Sequence, residues 1–372
     1  MKILIVAGAR PNFMKIAPIM KALQSYRDRH EVLLVHTGQH YDAQMSDDFF
    51  RDLGLPQPDI NLGVGSGSHA EQTARVMVAF EAVCVEHGPD WVIVVGDVNS
   101  TLACSITAKK IGIKVAHVEA GLRSRDMTMP EEINRLCTDS ISDLLFTTDR
   151  IANQNLRNEG VPDDKIHFVG NTMIDSLLLH IDQARQAAPL NGHRPGEYAV
   201  VTLHRPSNVD NRAILLGILD AIQKLSERIP VLLPAHPRTV KNITQFGLLP
   251  RLKSNQRLRL MEPLSYLRFV GLVAQARMVL TDSGGIQEET TVLGVPCLTM
   301  RDNTERPITC EVGTNRLVGT NPALILQAAL QILECPAPKI SVPEKWDGHA
   351  AERIVNVLLP MARVAVASDR SS

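Results

Sequence analysis

Three carboxylates, two histidine–arginine pairs and a glycine turn carry the chemistry open to this 372-residue chain. Asp97 ends the run Trp91-Val92-Ile93-Val94-Val95-Gly96, Glu119 ends Lys114-Val115-Ala116-His117-Val118, and Glu131 follows Pro130 at a helix start. Carboxylates brought to one rim by neighbouring elements raise one another's pKa values and suit general acid and base work. Each also has a plainer reading. Asp97 would cap a helix beginning near Ser100, and Glu119 and Glu131 would be solvated charges. Further along, Val279-Leu280-Thr281-Asp282 leads into Ser283-Gly284-Gly285 and then an apolar helical pattern through Ile286, Glu289 and Val292. Glycines admit a close backbone approach, and a helix start presents unpaired N–H groups and a positive dipole end, so this turn suits a phosphate. Ser283 adds a hydroxyl, and Glu288 or Glu289, in the first helical turn or just beyond, would reach a ribose diol. His204-Arg205 and His236-Pro237-Arg238 end two more strand-like runs and point to the same anion. Arg10 and Lys15 flank the end of the first strand; for Lys15 a solvated position on a helix face is the competing reading.

Apolar runs at 2–7, 31–36, 91–95, 114–118, 144–147 and 166–169 alternate with helical periodicity, and the alternation restarts at 198–203, 231–234, 258–261, 278–280 and 295–300. Strand–helix alternation of this kind predicts an α/β fold with parallel sheets. Open sheets bind ligands beyond the carboxyl ends of their strands, where Arg10, Asp97, Glu119, His204, His236 and Ser283 fall. Residues 1–172 form one expected domain and 173–347 a second, with the turn-rich Pro189–Gly196 as the joint. A helix over about 348–366 packs back on the first domain, and 367–372 is an expected disordered tail. The glycine-rich Gly63–His69 stretch follows no obvious strand and is expected as a mobile loop near the ligand rather than a dinucleotide fingerprint.

Composition narrows the function. The formal net charge is −1, with 44% hydrophobic and 21% charged residues, so bulk charge gives no grip on nucleic acid. No run approaches the roughly 18 apolar residues of a membrane span, and Gly8-Ala9-Arg10-Pro11 ends the first apolar run too early for a signal peptide. The six cysteines form no CxxC pair and read as buried reduced thiols of a cytoplasmic protein, not metal ligands. No metal and no redox cofactor is expected.

The motifs Gly8-Ala9-Arg10-Pro11 with Lys15, Gly96-Asp97, His117–Arg123, Pro130–Arg135, Thr202–Arg205, Asp282–Glu289 and Arg301-Asp302 with Glu305-Arg306-Pro307 occur in this order. Together they closely resemble the non-hydrolysing UDP-N-acetylglucosamine 2-epimerases, over the chain to about residue 360. The resemblance implies two Rossmann-like domains facing a cleft, as in GT-B glycosyltransferases, and a cytoplasmic homodimer making UDP-N-acetylmannosamine for surface polysaccharide. It implies elimination of UDP to 2-acetamidoglucal and re-addition without a cofactor. It places Asp97, Glu119, Glu131 and His204 in catalysis. It assigns Arg10, Lys15, Arg135, Ser283, Gly284, Gly285 and Arg306 to substrate, Glu289 to ribose and Phe269 beside uracil. Many bacterial members carry Gln-His-Arg-x-Met in a loop that holds a second, activating substrate molecule; here the loop is Gln39-His40-Tyr41-Asp42-Ala43-Gln44-Met45. The Glu119–Glu131 segment is also shorter. Both features resemble relatives acting on UDP-2,3-diacetamido uronic acids, which keeps the exact sugar open.

Overall fold

The computed structural model describes residues 1–38, 51–335 and 341–368; the side chains of Arg10 and of 361–368, and the Gln39–Met45 loop, lie outside the described residues. The chain divides into two compact units, Met1–Leu179 with Glu344–Ser372, and His180–Pro343.

The first unit runs β1 (Lys2–Ala7), α1 (Arg10–Gln24), β2 (Glu31–His36), β3 (Ile60–Asn61), α2 (His69–His87), β4 (Trp91–Val95), α3 (Asn99–Lys110) and β5 (Lys114–Ala120). It continues through α4 (Pro130–Ile141), β6 (Leu144–Thr147), α5 (Arg150–Asn158), β7 (Ile166–Phe168) and the start of α6 (Thr172–Ala187). Its sheet has seven parallel strands in the order β3-β2-β1-β4-β5-β6-β7. Every residue of β4 is buried, as a strand covered by helices on both faces requires. Strand order reverses between β1 and β4, so the loops leaving these strands diverge and open a crevice at the switch point.

The second unit repeats the plan with β8 (Ala199–Thr202), α7 (Pro206–Val209), α8 (Arg212–Ser226), β9 (Val231–Pro234), α9 (Pro237–Gln245), α10 (Leu249–Lys253) and β10 (Leu258–Met261). Then come α11 (Tyr266–Ala274), β11 (Met278–Thr281), α12 (Gly284–Leu293), β12 (Cys297–Thr299), α13 (Ile308–Glu311), β13 (Asn315–Leu317) and α14 (Pro322–Glu334). The order β10-β9-β8-β11-β12-β13 puts this switch point between β8 and β11.

The division between units falls inside α6, ten residues or more before the turn-rich Pro189–Gly196. Local bonding explains why. Early in α6, Ser176 Oγ donates to Met14 O at 2.5 Å, and Asp175 accepts the Ala350 and Ala351 N–H groups at 3.1 and 2.7 Å. Late in α6, Ala184 O lies so close to Gly271 that a Cβ there would meet it at 1.8 Å. The Gln275 amide donates to Arg185 O at 3.1 Å. The carboxylate of Asp175 thus caps the start of α15 (Ala350–Ser368), which packs on α1. This last helix extends into the segment expected as a tail. Cys84, Cys104 and Cys297 are buried as expected, but Cys137 and Cys335 are exposed; all six are free. Gly63–His69 ends in a capping box, Ser68 accepting from Glu71 N and Glu71 from Ser68 N.

Candidate active site

At the first switch point, the turn leaving β1 is built on Asn12. Its Oδ1 accepts the Gly8 and Ala9 N–H groups, both at 2.9 Å, and its amide donates to Val95 O at 3.1 Å, tying β1 to the end of β4. Lys15 follows one turn into α1. It is not solvated: its ammonium is buried in an ion pair with the Glu119 carboxylate, each side chain 7% exposed. Glu119 sits where the pairing of β5 with β6 shifts register, at φ +73°, a left-handed conformation that costs a non-glycine residue energy. Gly96, at φ +66°, passes under this pair; a Cβ there would lie 2.9 Å from Lys15 Nζ. Only glycine satisfies both the backbone angle and the space.

Asp97 does not cap α3, whose N-cap is Val98 with no side-chain bond. Its carboxylate instead meets Arg135 Nη1 at 2.5 Å. Arg135 is buried between Asp97 and Glu132, so it orients Asp97 rather than standing open to a ligand. Asp97 and Glu119 therefore have cations as partners, where mutual repulsion among the carboxylates was expected. Glu132 accepts Ser124 N, Ser124 Oγ and Arg125 N as well. Burial raises the Glu132 pKa, but these N–H groups and Arg135 outweigh it and hold the carboxyl below its ordinary value. The side chain of Glu131, its neighbour in the first turn of α4, is not drawn into the Lys15–Glu119 or Asp97–Arg135 pairs.

At the second switch point the organiser is Asp282, a residue to which the sequence assigned no role. Fully buried after β11, it accepts the His204 and Arg205 N–H groups at 3.1 and 3.0 Å and the Asn208 amide at 3.2 Å. Its Oδ1 lies 2.8 Å from His204 Nδ1. Burial opposes ionisation, yet the bond and charge of His204 keep Asp282 below its ordinary pKa. Nδ1 is thereby committed as donor, and Nε2 is the nitrogen a ligand would meet on this half-exposed ring. The His236 ring centroid is 6.2 Å away. Ser283 is the N-cap of α12, but its hydroxyl makes no capping bond, and the first turn holds no acid. That leaves a helix N-terminus suited to an anion.

Glu288 and Glu289 fall in the second turn and take different roles. Glu288 pairs with Arg306 Nε at 2.9 Å. Glu289 is buried beside the Tyr266 hydroxyl, and burial together with the charge of Glu288 pushes its carboxyl up to about 8. Arg306 also meets Glu305 at 2.6 Å and is 7% exposed at its side chain. Phe269 is partly buried on α11 against the cluster of Val279, Ile286 and Leu272. Gly285 follows Gly284 in the first turn of α12, and Arg10 opens α1. Among the described residues no group of three or more His, Cys, Asp or Glu is placed to hold a metal ion, and no helix is long and apolar enough to cross a membrane.

Two doubly wound parallel sheets, each with an ionic cluster at its switch point, define an α/β enzyme of the GT-B-like class. The model of the family described as UDP-N-acetylglucosamine 2-epimerase matches residues 21–359. A UDP-N-acetylglucosamine 2-epimerase of Methanococcus maripaludis is 40% identical over 369 residues, 96% of this chain and 98% of that one. The UDP-2,3-diacetamido-2,3-dideoxy-D-glucuronate 2-epimerase of Pseudomonas aeruginosa is 42% identical over 334 residues, 88% of this chain and 91% of that one. The crystal structure of Methanocaldococcus jannaschii UDP-GlcNAc 2-epimerase in complex with UDP-GlcNAc and UDP matches with a TM-score of 0.89 at 43% identity, covering 96% and 99% of the two chains. The chain belongs to the UDP-N-acetylglucosamine 2-epimerase family.

Proposed function

We propose that the chain interconverts UDP-N-acetylglucosamine and UDP-N-acetylmannosamine by anti elimination and re-addition of UDP. A base takes the C2 proton, the C2–H electrons form the C1=C2 bond of 2-acetamidoglucal, and the C1–O bond breaks with its electrons leaving on UDP. Re-addition returns UDP oxygen to C1 while a proton reaches the other face of C2. The observation that carries this reading is Glu119: a buried carboxylate, held on a strained bulge and paired with Lys15. Strain of that kind persists where surroundings over-determine it, as they do at functional sites. Asp97 and Glu131 supply the further acid and base groups. His204, Ser283, the Gly284 and Gly285 N–H groups and Arg10 stabilise the departing pyrophosphate; Glu289 takes the ribose, Phe269 lies beside uracil, and Arg306 fixes Glu288. In deuterated water both epimers should acquire deuterium at C2, and oxygen label between C1 and phosphorus should scramble. Epimerisation that retains the C2 hydrogen and the label would end the proposal. Running the same assay on the diacetamido uronic acid sugar decides between the activities of the two relatives.

Binding of UDP should release protons near neutral pH. Free Glu289 titrates at about 8, so most of it is protonated at pH 7, whereas accepting ribose hydroxyls favours the carboxylate. Affinity should therefore rise with pH up to about 8 and level off above it. Titration calorimetry in buffers of different ionisation enthalpy measures the release, and Glu289→Gln should remove that component. Equal release in both proteins would refute the assignment.

We also place the chain in the cytoplasm as a homodimer serving surface-polysaccharide synthesis. Val78 and Val85, 72% and 74% exposed on one face of α2, are apolar surface that a second copy would cover. Sedimentation should give the mass of two chains, and Val78→Glu should shift it toward one.

A further inference from the structure

We propose that Asp139 and His117 form a buried clamp that sets both Glu119 and Asp97, making them positioning residues of the reaction proposed above, on which this inference rests. Asp139 lies on α4 with its side chain 1% exposed. Its Oδ1 is 2.6 Å from His117 Nδ1; its Oδ2 accepts the Gly121 N–H at 3.0 Å and pairs with Arg123 Nη2 at 2.7 Å. His117 and Gly121 stand two residues before and two after Glu119. One carboxylate thus grips both sides of the bulge that holds Glu119 at φ +73°. The other ring nitrogen of His117, Nε2, is 2.8 Å from Gly96 O, the carbonyl immediately before Asp97. The two strands that deliver the candidate acid and base are therefore tied through one imidazole.

Gly121 belongs to the same device. Its φ is +80°, and a Cβ would meet Ala152 O at 2.5 Å. Arg123 is itself anchored, its Nε donating to Glu159 at 2.8 Å. The chemistry of the acceptors fixes the state of the ring. Burial works against a charged Asp139, but His117 and Arg123 hold its pKa below the ordinary value, so it is a carboxylate and Nδ1 must donate. A peptide carbonyl only accepts, so Nε2 must donate too. Both ring nitrogens of His117 thus face acceptors. A histidine that merely filled the core would satisfy its nitrogens anywhere; here one bond ends on the carbonyl before Asp97, and the other on the carboxylate that also holds the Gly121 N–H after Glu119.

The test compares turnover of the wild-type protein with His117→Asn, His117→Gln and Asp139→Asn, alongside UDP affinity and thermal midpoint. A glutamine amide reaches the place of Nε2 and keeps the bond to Gly96 O; an asparagine amide reaches only that of Nδ1. His117→Asn should lose about 10²-fold in kcat with KM and UDP affinity nearly unchanged, and His117→Gln should recover much of that loss. Equal losses in the two variants, tracking their thermal midpoints, would overturn the clamp. Wild-type turnover reports on the epimerase reading, and the ratio of variant to wild type on the clamp. Independently of turnover, nitrogen NMR of the wild-type protein should find both His117 ring nitrogens protonated; a singly protonated ring would also overturn it.

Discussion

Glu119→Gln is expected to lower turnover by about 10²-fold or more, while UDP affinity changes little. The amide keeps the shape of the side chain but can neither take nor give the C2 proton. It also strips Lys15 of its counter-ion, and an unpaired buried ammonium destabilises a fold by about 3–5 kcal/mol. The two consequences need separating. In the double variant Lys15→Met, Glu119→Gln the orphaned charge is gone, so the thermal midpoint should return most of the way. Turnover should stay low. Recovery of turnover in the double variant would make Glu119 a structural ion-pair partner and nothing more. Asp97→Asn offers a second arm: it weakens the bond to Arg135 but leaves Glu132 to hold that guanidinium. Its effect should fall on turnover far more than on stability.

The fold was legible because its signals are local. Runs such as Trp91–Val95 and Val231–Pro234 announce buried parallel strands, and turn chemistry marks the helix starts that follow them. The strands that escaped, β3 and β13, are edge strands of two and three residues, too short for any period to show. That the candidate site residues lie at strand ends was legible for the same reason, since topology alone puts ligands there. What could not be read was which partner each charge would find. Lys15 looks like a surface lysine until α1 is laid across the sheet and Glu119 arrives from β5. Asp97 has the spacing of a helix cap, but Arg135 outcompetes the cap from a helix that begins much later in the chain. That Glu288 would pair with Arg306, and that Asp139 and Asp282 would bind distant backbone, could not be read either. Pairing across long separations leaves no mark on local pattern. The exception is Glu119, whose place before Ala120-Gly121 is a local sequence feature, yet nothing in residue type announces a left-handed glutamate.

Gly284→Ala sets two effects against each other, and the steric one should win. Alanine in place of a helical glycine favours the helix by about 1 kcal/mol, so propensity alone predicts a more stable protein with its anion site intact. Gly284 has no need of a positive φ. A Cβ at this position, however, would lie 2.5 Å from Arg306 Nη1 and 2.6 Å from Glu305 Oε1. Neither group can retreat cheaply. Arg306 is held by Glu288 at 2.9 Å and Glu305 at 2.6 Å, and Glu305 by Arg301 at 2.8 Å, all of them buried. Burial works against the charge on Glu305, yet Arg306 and Arg301 hold its carboxyl far below the usual range. The start of α12 must then move instead, and with it the N–H groups proposed to hold the pyrophosphate. UDP affinity should fall by about tenfold or more, a loss of about 1.4 kcal/mol. Calorimetric titration with UDP and the thermal midpoint measure the two effects separately. A raised midpoint with unchanged UDP affinity would mean that propensity had won and that the nucleotide is held elsewhere.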